Sequence, residues 1–189
     1  FYHNGNLILT GQDENSSGEH TILISVVDTL GKLLSSINFY TPGFFNDASK
    51  VAHTDSAYLL VGTSLDNTNN NRGVFLTETD YNLNRKWAKS IHRENLYHQV
   101  NDYKYDAQNK ENIICGYVGK SNQFDSIFVL KLDDIGNVIY YKHYFYPDSS
   151  NYRATSLEID SNSNIYIGIT KEYKNKTIPL LAKLDQNGD

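Results

Sequence analysis

The sequence has no methionine, one cysteine and three prolines among its 189 residues. Each scarcity removes a class of protein. A single thiol, Cys115, forms no intrachain disulfide and no cysteine-based metal cluster. It ends the apolar run Ile113-Ile114-Cys115, the setting of a buried inert thiol rather than a catalytic one. No window approaches the roughly 18 uninterrupted apolar residues of a membrane-spanning helix, so membrane insertion is not expected. The first residues, Phe1-Tyr2-His3-Asn4-Gly5, lack the basic-then-apolar pattern of a signal peptide. Without an initiator methionine the chain reads as a processed product or an excised piece. Basic residues are neither numerous nor clustered: 17 Lys+Arg stand against 22 Asp+Glu, a net charge of −5. Nucleic acid and anionic membranes, which need concentrated positive charge, are excluded as partners. Helical periodicity with caps is missing throughout. A glycine-rich phosphate loop, a Gly-x-Ser-x-Gly elbow and a His-Glu-x-x-His pair are missing too.

What is present is a repeat. Four segments align: Thr21-Ile-Leu-Ile-Ser-Val-Val-Asp28-Thr-Leu-Gly31, Gly73-Val-Phe-Leu-Thr-Glu-Thr-Asp80-Tyr-Asn-Leu-Asn84, Ser126-Ile-Phe-Val-Leu-Lys-Leu-Asp133-Asp-Ile-Gly136-Asn137 and Ile178-Pro-Leu-Leu-Ala-Lys-Leu-Asp185-Gln-Asn-Gly188. Their aspartates are 52, 53 and 52 residues apart. A second landmark, the glycine late in the preceding apolar strand, keeps the same beat at Gly11, Gly62, Gly116 and Gly168. Two independent markers with one period identify a structural unit. The third unit parses into strands over 99–105, 112–118, 126–132 and 137–145, rich in Val, Ile, Tyr, Phe and Thr and separated by Asp, Asn, Gly, Ser and Lys.

The Asp-x-x-Gly element has a local reason to recur. The aspartate carboxylate accepts amide hydrogen bonds from the turn, and glycine supplies the positive φ that the turn demands. In the second copy Asn84 is expected to take the left-handed position, which asparagine tolerates. Calcium ligation is the alternative use of such aspartates, but the nonapeptide ladder or twelve-residue loop of calcium repeats is missing.

Four short strands in units of about 50 residues match the blades of a β-propeller. The chain also resembles the bacterial extracellular β-propeller repeats of the Leu-Asp-x-x-Gly-Asn type. Asp80-x6-Trp87-x-Lys89, Asp133-x-x-Gly136-Asn137-x-x-Tyr140-x-Lys142 and Asp160-Ser-Asn-Ser-Asn-Ile-Tyr166-Ile-Gly168 carry the resemblance. It departs from that pattern at Ser35, at Ile37 and at Asp55-Ser56-Ala57. The resemblance implies a secreted, lipid-anchored or type IX-exported bacterial surface protein, and no particular reaction.

The expectation is therefore an all-β, propeller-like array of four-stranded antiparallel blades. It forms one repeat domain with a partial unit at 1–46, units at 47–97 and 98–150, and a partial unit at 151–189. The first unit begins at its second strand and the last ends at its third, giving 3+4+4+3, or 14 strands, about three and a half blades of a larger ring. Flanking blades of the same polypeptide are expected to complete it.

Candidate sites are sparse. His92 and His98 are six residues apart with no third ligand in their unit, a weak zinc pattern, and no metal or cofactor is expected. Glu158 and Asp160 share a strand face as a carboxylate pair, for which solvation or turn formation is the plainer role. The loops are the better lead. In a blade, the connection between second and third strands and the connection to the next blade open on one ring face. The first set is 13–20, 64–72, 119–125 and 171–177; the second is 40–47, 92–98 and 146–152. The second set carries Phe44, Phe45, Tyr97, Tyr146 and Tyr152 among Asn46, Asp47, Arg93, Asn95, Asp148 and Asn151. Aromatic rings beside amides and carboxylates suit recognition of a protein or a glycan; the same rings also suit plugging the blade tops. Trp87, Tyr105, Tyr117, Tyr140, Tyr144 and Tyr166 read as packing aromatics. Two functions stay open at this point, a non-catalytic surface scaffold or binding module and a propeller-fold hydrolase or lyase acting on extracellular polysaccharide.

Overall fold

A computed structural model describes residues 2–14, 20–40, 44–54, 56–66, 71–93, 96–120, 123–146, 148 and 150–189. Among these the secondary structure is all β, with fifteen strands and no helix. Sheet A holds β1 (Tyr2–His3), β2 (Asn6–Glu14), β3 (His20–Asp28) and β4 (Leu33–Phe39). Sheet B holds β5 (Phe44–His53), β6 (Tyr58–Asp66), β7 (Arg72–Thr79) and β8 (Arg85–Ile91). Sheet C holds β9 (Tyr97–Asp106), β10 (Glu111–Lys120), β11 (Gln123–Leu132) and β12 (Val138–Phe145). Sheet D holds β13 (Asn151–Ile159), β14 (Ile165–Tyr173) and β15 (Lys176–Leu184). Within each sheet every strand pairs antiparallel with its neighbour in sequence. The extra strand relative to the expected 14 is β1, whose Tyr2 and His3 pair with Leu7 and Asn6 across a tight turn at Asn4 and Gly5.

The chain divides into two compact units, residues 1–94 with sheets A and B and residues 95–189 with sheets C and D. Each is built by the same alternation. In β3, Ile22, Ile24 and Val26 lie on one face and join Ile8 and Phe39 against Tyr58, Leu60 and Phe75 of sheet B. In the second unit Ile113, Cys115, Ile127 and Val129 of sheet C pack on Ala154, Leu157, Ile165 and Ile167 of sheet D. Cys115 is fully buried there, as its apolar run implies.

The recurrent aspartate turns have the expected hydrogen bonds. After β11, the Asp133 Oδ1 atom accepts from the amides of Ile135 (3.1 Å) and Asn137 (2.7 Å), and the Gly136 amide donates to the Asp133 carbonyl (3.1 Å). The same pattern recurs at Asp28, Asp80 and Asp185. It appears a fifth time at Asp160, between β13 and β14. One expectation is corrected. In the second copy the left-handed residue is Leu83 (φ 66°), while Asn84 donates its side-chain amide to Asp80 Oδ2 (2.9 Å). The Leu83 side chain is 3% exposed and packs in the core of the first unit. Burying leucine, about 1.5–3 kcal/mol, offsets the roughly 1–2 kcal/mol cost of αL for a residue with a Cβ.

The recurrent glycine has a different cause. Gly62, Gly116 and Gly168 each lie opposite a β-bulge in the first strand of their sheet, at Ala48/Lys50, Val100/Asp102 and Ala154/Ser156. A bulge brings backbone over the partner strand. A Cβ on Gly116 would overlap the carbonyl oxygen of Gln99. In sheet C the bulge is also a tie: Asn101 Nδ2 donates to the Ala154 carbonyl (2.6 Å), and the Leu157 amide donates to Asp102 Oδ2 (2.8 Å). Strands β9 and β13 are thereby held side by side.

Candidate functional site

Strands reach further into the expected loops than their turn-rich composition suggests. Phe44 and Phe45 open β5, paired with Asp66 and Leu65, and their side chains lie outside the described residues. Tyr97 opens β9 opposite Gly119 and is half-buried. Of their polar neighbours, Asp47, Arg93 and Asn151 are exposed, and Asn95 lies outside the described residues.

The second unit shows what its connections do. The β12–β13 loop carries Tyr146 and Asp148, and the β14–β15 hairpin turns through Lys174 (φ 46°) and Asn175 (φ 62°), the two positive φ angles of a type I′ turn. Lys171, near the end of β14, forms an ion pair with Asp148, which places both connections at one end of the unit. Tyr146 and Tyr152 stack with ring centroids 4.2 Å apart and planes at 22°. Tyr152 is 2% exposed and belongs to the core, so its ring has no face free for a ligand. Only its hydroxyl joins the polar cluster, donating to Asp148 Oδ2 (2.7 Å). The Lys171 ammonium sits 5.4 Å from the Tyr152 ring centroid.

Electrostatics follow from these contacts. The hydrogen bond from Lys171, then that from Tyr152, holds the Asp148 carboxyl down at about 2. Its bond to Asp148 raises Lys171 above the usual lysine range, and burial chiefly raises Tyr152. At neutral pH the cluster is a neutral phenol bridged to a charged pair.

Beside it lies an open groove of about 400 Å³, lined by Asn151, Glu172, Tyr173, Lys174, Asn175, Lys176 and Thr177. Glu172 faces Arg153 at 3.6 Å, and the Arg153 guanidinium lies 5.4 Å from the Tyr117 ring centroid. Tyr173 is 39% exposed, with the Lys174 ammonium 5.0 Å from its ring centroid. The expected aromatic set contains neither Tyr173 nor the lysines around it. The signal was there, since Tyr173 stands among Lys171, Lys174 and Lys176 in a stretch otherwise read as merely polar.

The expected carboxylate pair and histidines are placed as follows. Glu158 pairs with Lys104 (2.7 Å), and Asp160 accepts the amides of its own turn and the side chain of Asn164. His98 is 1% exposed, and its Nε2 and that of His143 both meet the Tyr141 hydroxyl. Burial lowers His92 below the usual histidine range. Among the described residues no three His, Cys, Asp or Glu side chains converge as a metal site would require. Tyr140 and Tyr144 pack against the core of the second unit.

No protein-family model matches the chain, and no curated protein matches it.

Proposed function

We propose that this chain is a non-catalytic recognition module, a set of β-propeller blades that presents end loops to a protein or glycan on the bacterial cell surface or outside the cell. The repeat of 52 to 53 residues and the stacking of successive antiparallel sheets within each unit support the blade reading. The likeness to exported bacterial repeats supports the location. The observation that carries the function is the end of the second unit. There a loop and a hairpin turn, joined by the Asp148–Lys171 pair, border an open groove with an exposed tyrosine, two lysines and several amide and hydroxyl groups. Recurrent carboxylates are committed to turns, and Glu158 to Lys104, which favours scaffold over hydrolase. Phe44, Phe45, Tyr97 and Tyr146 remain the aromatic candidates of the connecting segments, with Tyr173 added to them.

The test is binding of the purified 189-residue chain to an immobilised panel of glycans and surface proteins, with reducing-sugar and unsaturated-product assays run on the same glycans. Saturable binding without product, weakened by Tyr173→Ala, is the expected outcome. Release of sugar or of unsaturated product would sink the non-catalytic reading in favour of the hydrolase or lyase.

A further inference from the structure

We infer that the groove between Asn151 and the β14–β15 turn selects acidic glycans, polymers whose sugars carry carboxylates. The inference rests on the recognition role proposed above and narrows its ligand class.

Charge is the first argument. The chain as a whole carries −5, yet around this groove four cations, Arg153, Lys171, Lys174 and Lys176, face two carboxylates, Asp148 and Glu172. Both carboxylates are taken, Asp148 by Lys171 and Glu172 by Arg153. Among the described residues neither Lys174 nor Lys176 forms an ion pair. The groove therefore offers a local excess of two positive charges on an acidic protein, where a free anion gains attraction and a neutral ligand gains none.

Shape and chemistry narrow the anion. Tyr173 supplies an exposed flat ring, which buries sugar C–H surface with little loss of side-chain entropy. Asn151, Asn175 and Thr177 supply paired donors and acceptors for hydroxyl groups. A volume of about 400 Å³ falls in the roughly 300–1,000 Å³ range of small-ligand clefts. The open form suits a chain passing along the groove rather than a buried monomer. Lys174 lies in the turn and Lys176 opens β15, and the Lys174 ammonium lies 5.0 Å from the Tyr173 ring centroid, so positive charge and flat ring adjoin at the groove.

Polygalacturonate and alginate are the acidic probes, with a neutral β-glucan and poly-glutamate as comparison. Isothermal titration of the full chain should show binding of the two uronates and weaker or no binding of the others. Lys174→Ala with Lys176→Ala should weaken uronate binding about tenfold, as 0.5 M salt should, and leave the unfolding midpoint unchanged. Lys174→Asn, which suits the turn, separates loss of charge from loss of folding and should weaken binding as well. Equal uronate affinity in the folded double variant overturns the inference. So does equal binding of poly-glutamate, which would reduce the groove to a charge trap. Neutral glucan bound through Tyr173 with the lysines silent also overturns it, while leaving the recognition role standing. Failure of every glycan and every surface protein of the panel to bind removes both.

Discussion

Gly11 in β2 and Gly116 in β10 hold the same place in the repeat, yet only one of them has to be glycine. At Gly116 the bulged first strand crosses so closely that a Cβ would meet the Gln99 carbonyl and the Phe128 ring. At Gly11 nothing lies within 4 Å, because β1 pairs only with Asn6 and Leu7 and does not reach it. The repeat records a contact between first and second strands, and the residue persists where the described structure has no such contact. The largest effect that separates the two is therefore Gly116→Ala, which should destabilise the chain by about 3 kcal/mol or more, since backbone rather than a movable side chain must yield. Gly62→Ala, facing the Asp47 carbonyl, should behave alike. Gly168→Ala should cost nearer 1 kcal/mol, because the atom in the way is the Ser156 hydroxyl, which can rotate aside. Urea unfolding of the three variants measures the order, and equal losses at 116 and 168 would break the argument.

The turns make a second comparison of the same kind. Gly136 and Leu83 close identical hydrogen-bonded turns with φ of 78° and 66°. Leucine is held at 83 because its side chain is buried in the core of the first unit. Leu83→Ala keeps the left-handed strain and loses the packing, so it should cost about 2–3 kcal/mol. Leu83→Gly loses the same packing and is relieved of about 1 kcal/mol of strain, so it should cost less than alanine. That inversion of the usual order is the readout. If glycine proves the worse substitution, the strain assigned to position 83 is not there.

At the lower end of the scale, Gly11→Ala should be neutral or stabilise by up to about 0.5–1 kcal/mol through the unfolded chain alone. A loss comparable with that of Gly116→Ala would mean that something approaches Gly11 in solution.

These residues mark how far the sequence could be read. The period, the four-strand units and the aspartate turns were legible because each rests on local chemistry that one residue type satisfies best. The bulges were legible only as unexplained glycines, since their cause sits on another strand. Leu83 was misread in favour of Asn84 because its compensation is tertiary, and no local rule places leucine at positive φ. β1 escaped notice as two residues with no alternation to display. At the candidate site, composition located the loops but not their exposure. Tyr152 stands in a polar segment, yet the pleat of β13 turns it into the core with Ala154. Tyr173 stands outside the expected aromatic set because it lies in the other set of connections, among the polar and basic residues 171–177.

The smallest predicted effect concerns the turn carboxylates, which share a backbone pattern and differ in one donor. Asp80 and Asp160 receive a side-chain amide from Asn84 and Asn164, whereas the residue at that place after Asp28 is Lys32. The Asn84 side chain, with the turn amides, lowers Asp80, and Asn164 does the same for Asp160. Asp185 is lowered by the Asp189 amide in the first place. A carboxyl whose folded pKa lies below its unfolded value near 3.8 contributes stability that is complete above that value and is lost as pH falls through the folded pKa. Thermal midpoints should thus hold steady from neutral pH to about 5 as far as these turns are concerned, and then fall as acid protonates them. Asn84→Ala should shrink that fall by bringing Asp80 closer to its unfolded value, and with it the small stability the turn contributes above that value. Many carboxylates contribute to a thermal midpoint, so carboxyl carbon titration by NMR, which reads Asp80 itself, is the sharper measurement. An unchanged Asp80 titration in Asn84→Ala would show that backbone amides alone hold these turns, leaving the asparagine as a passenger of the repeat.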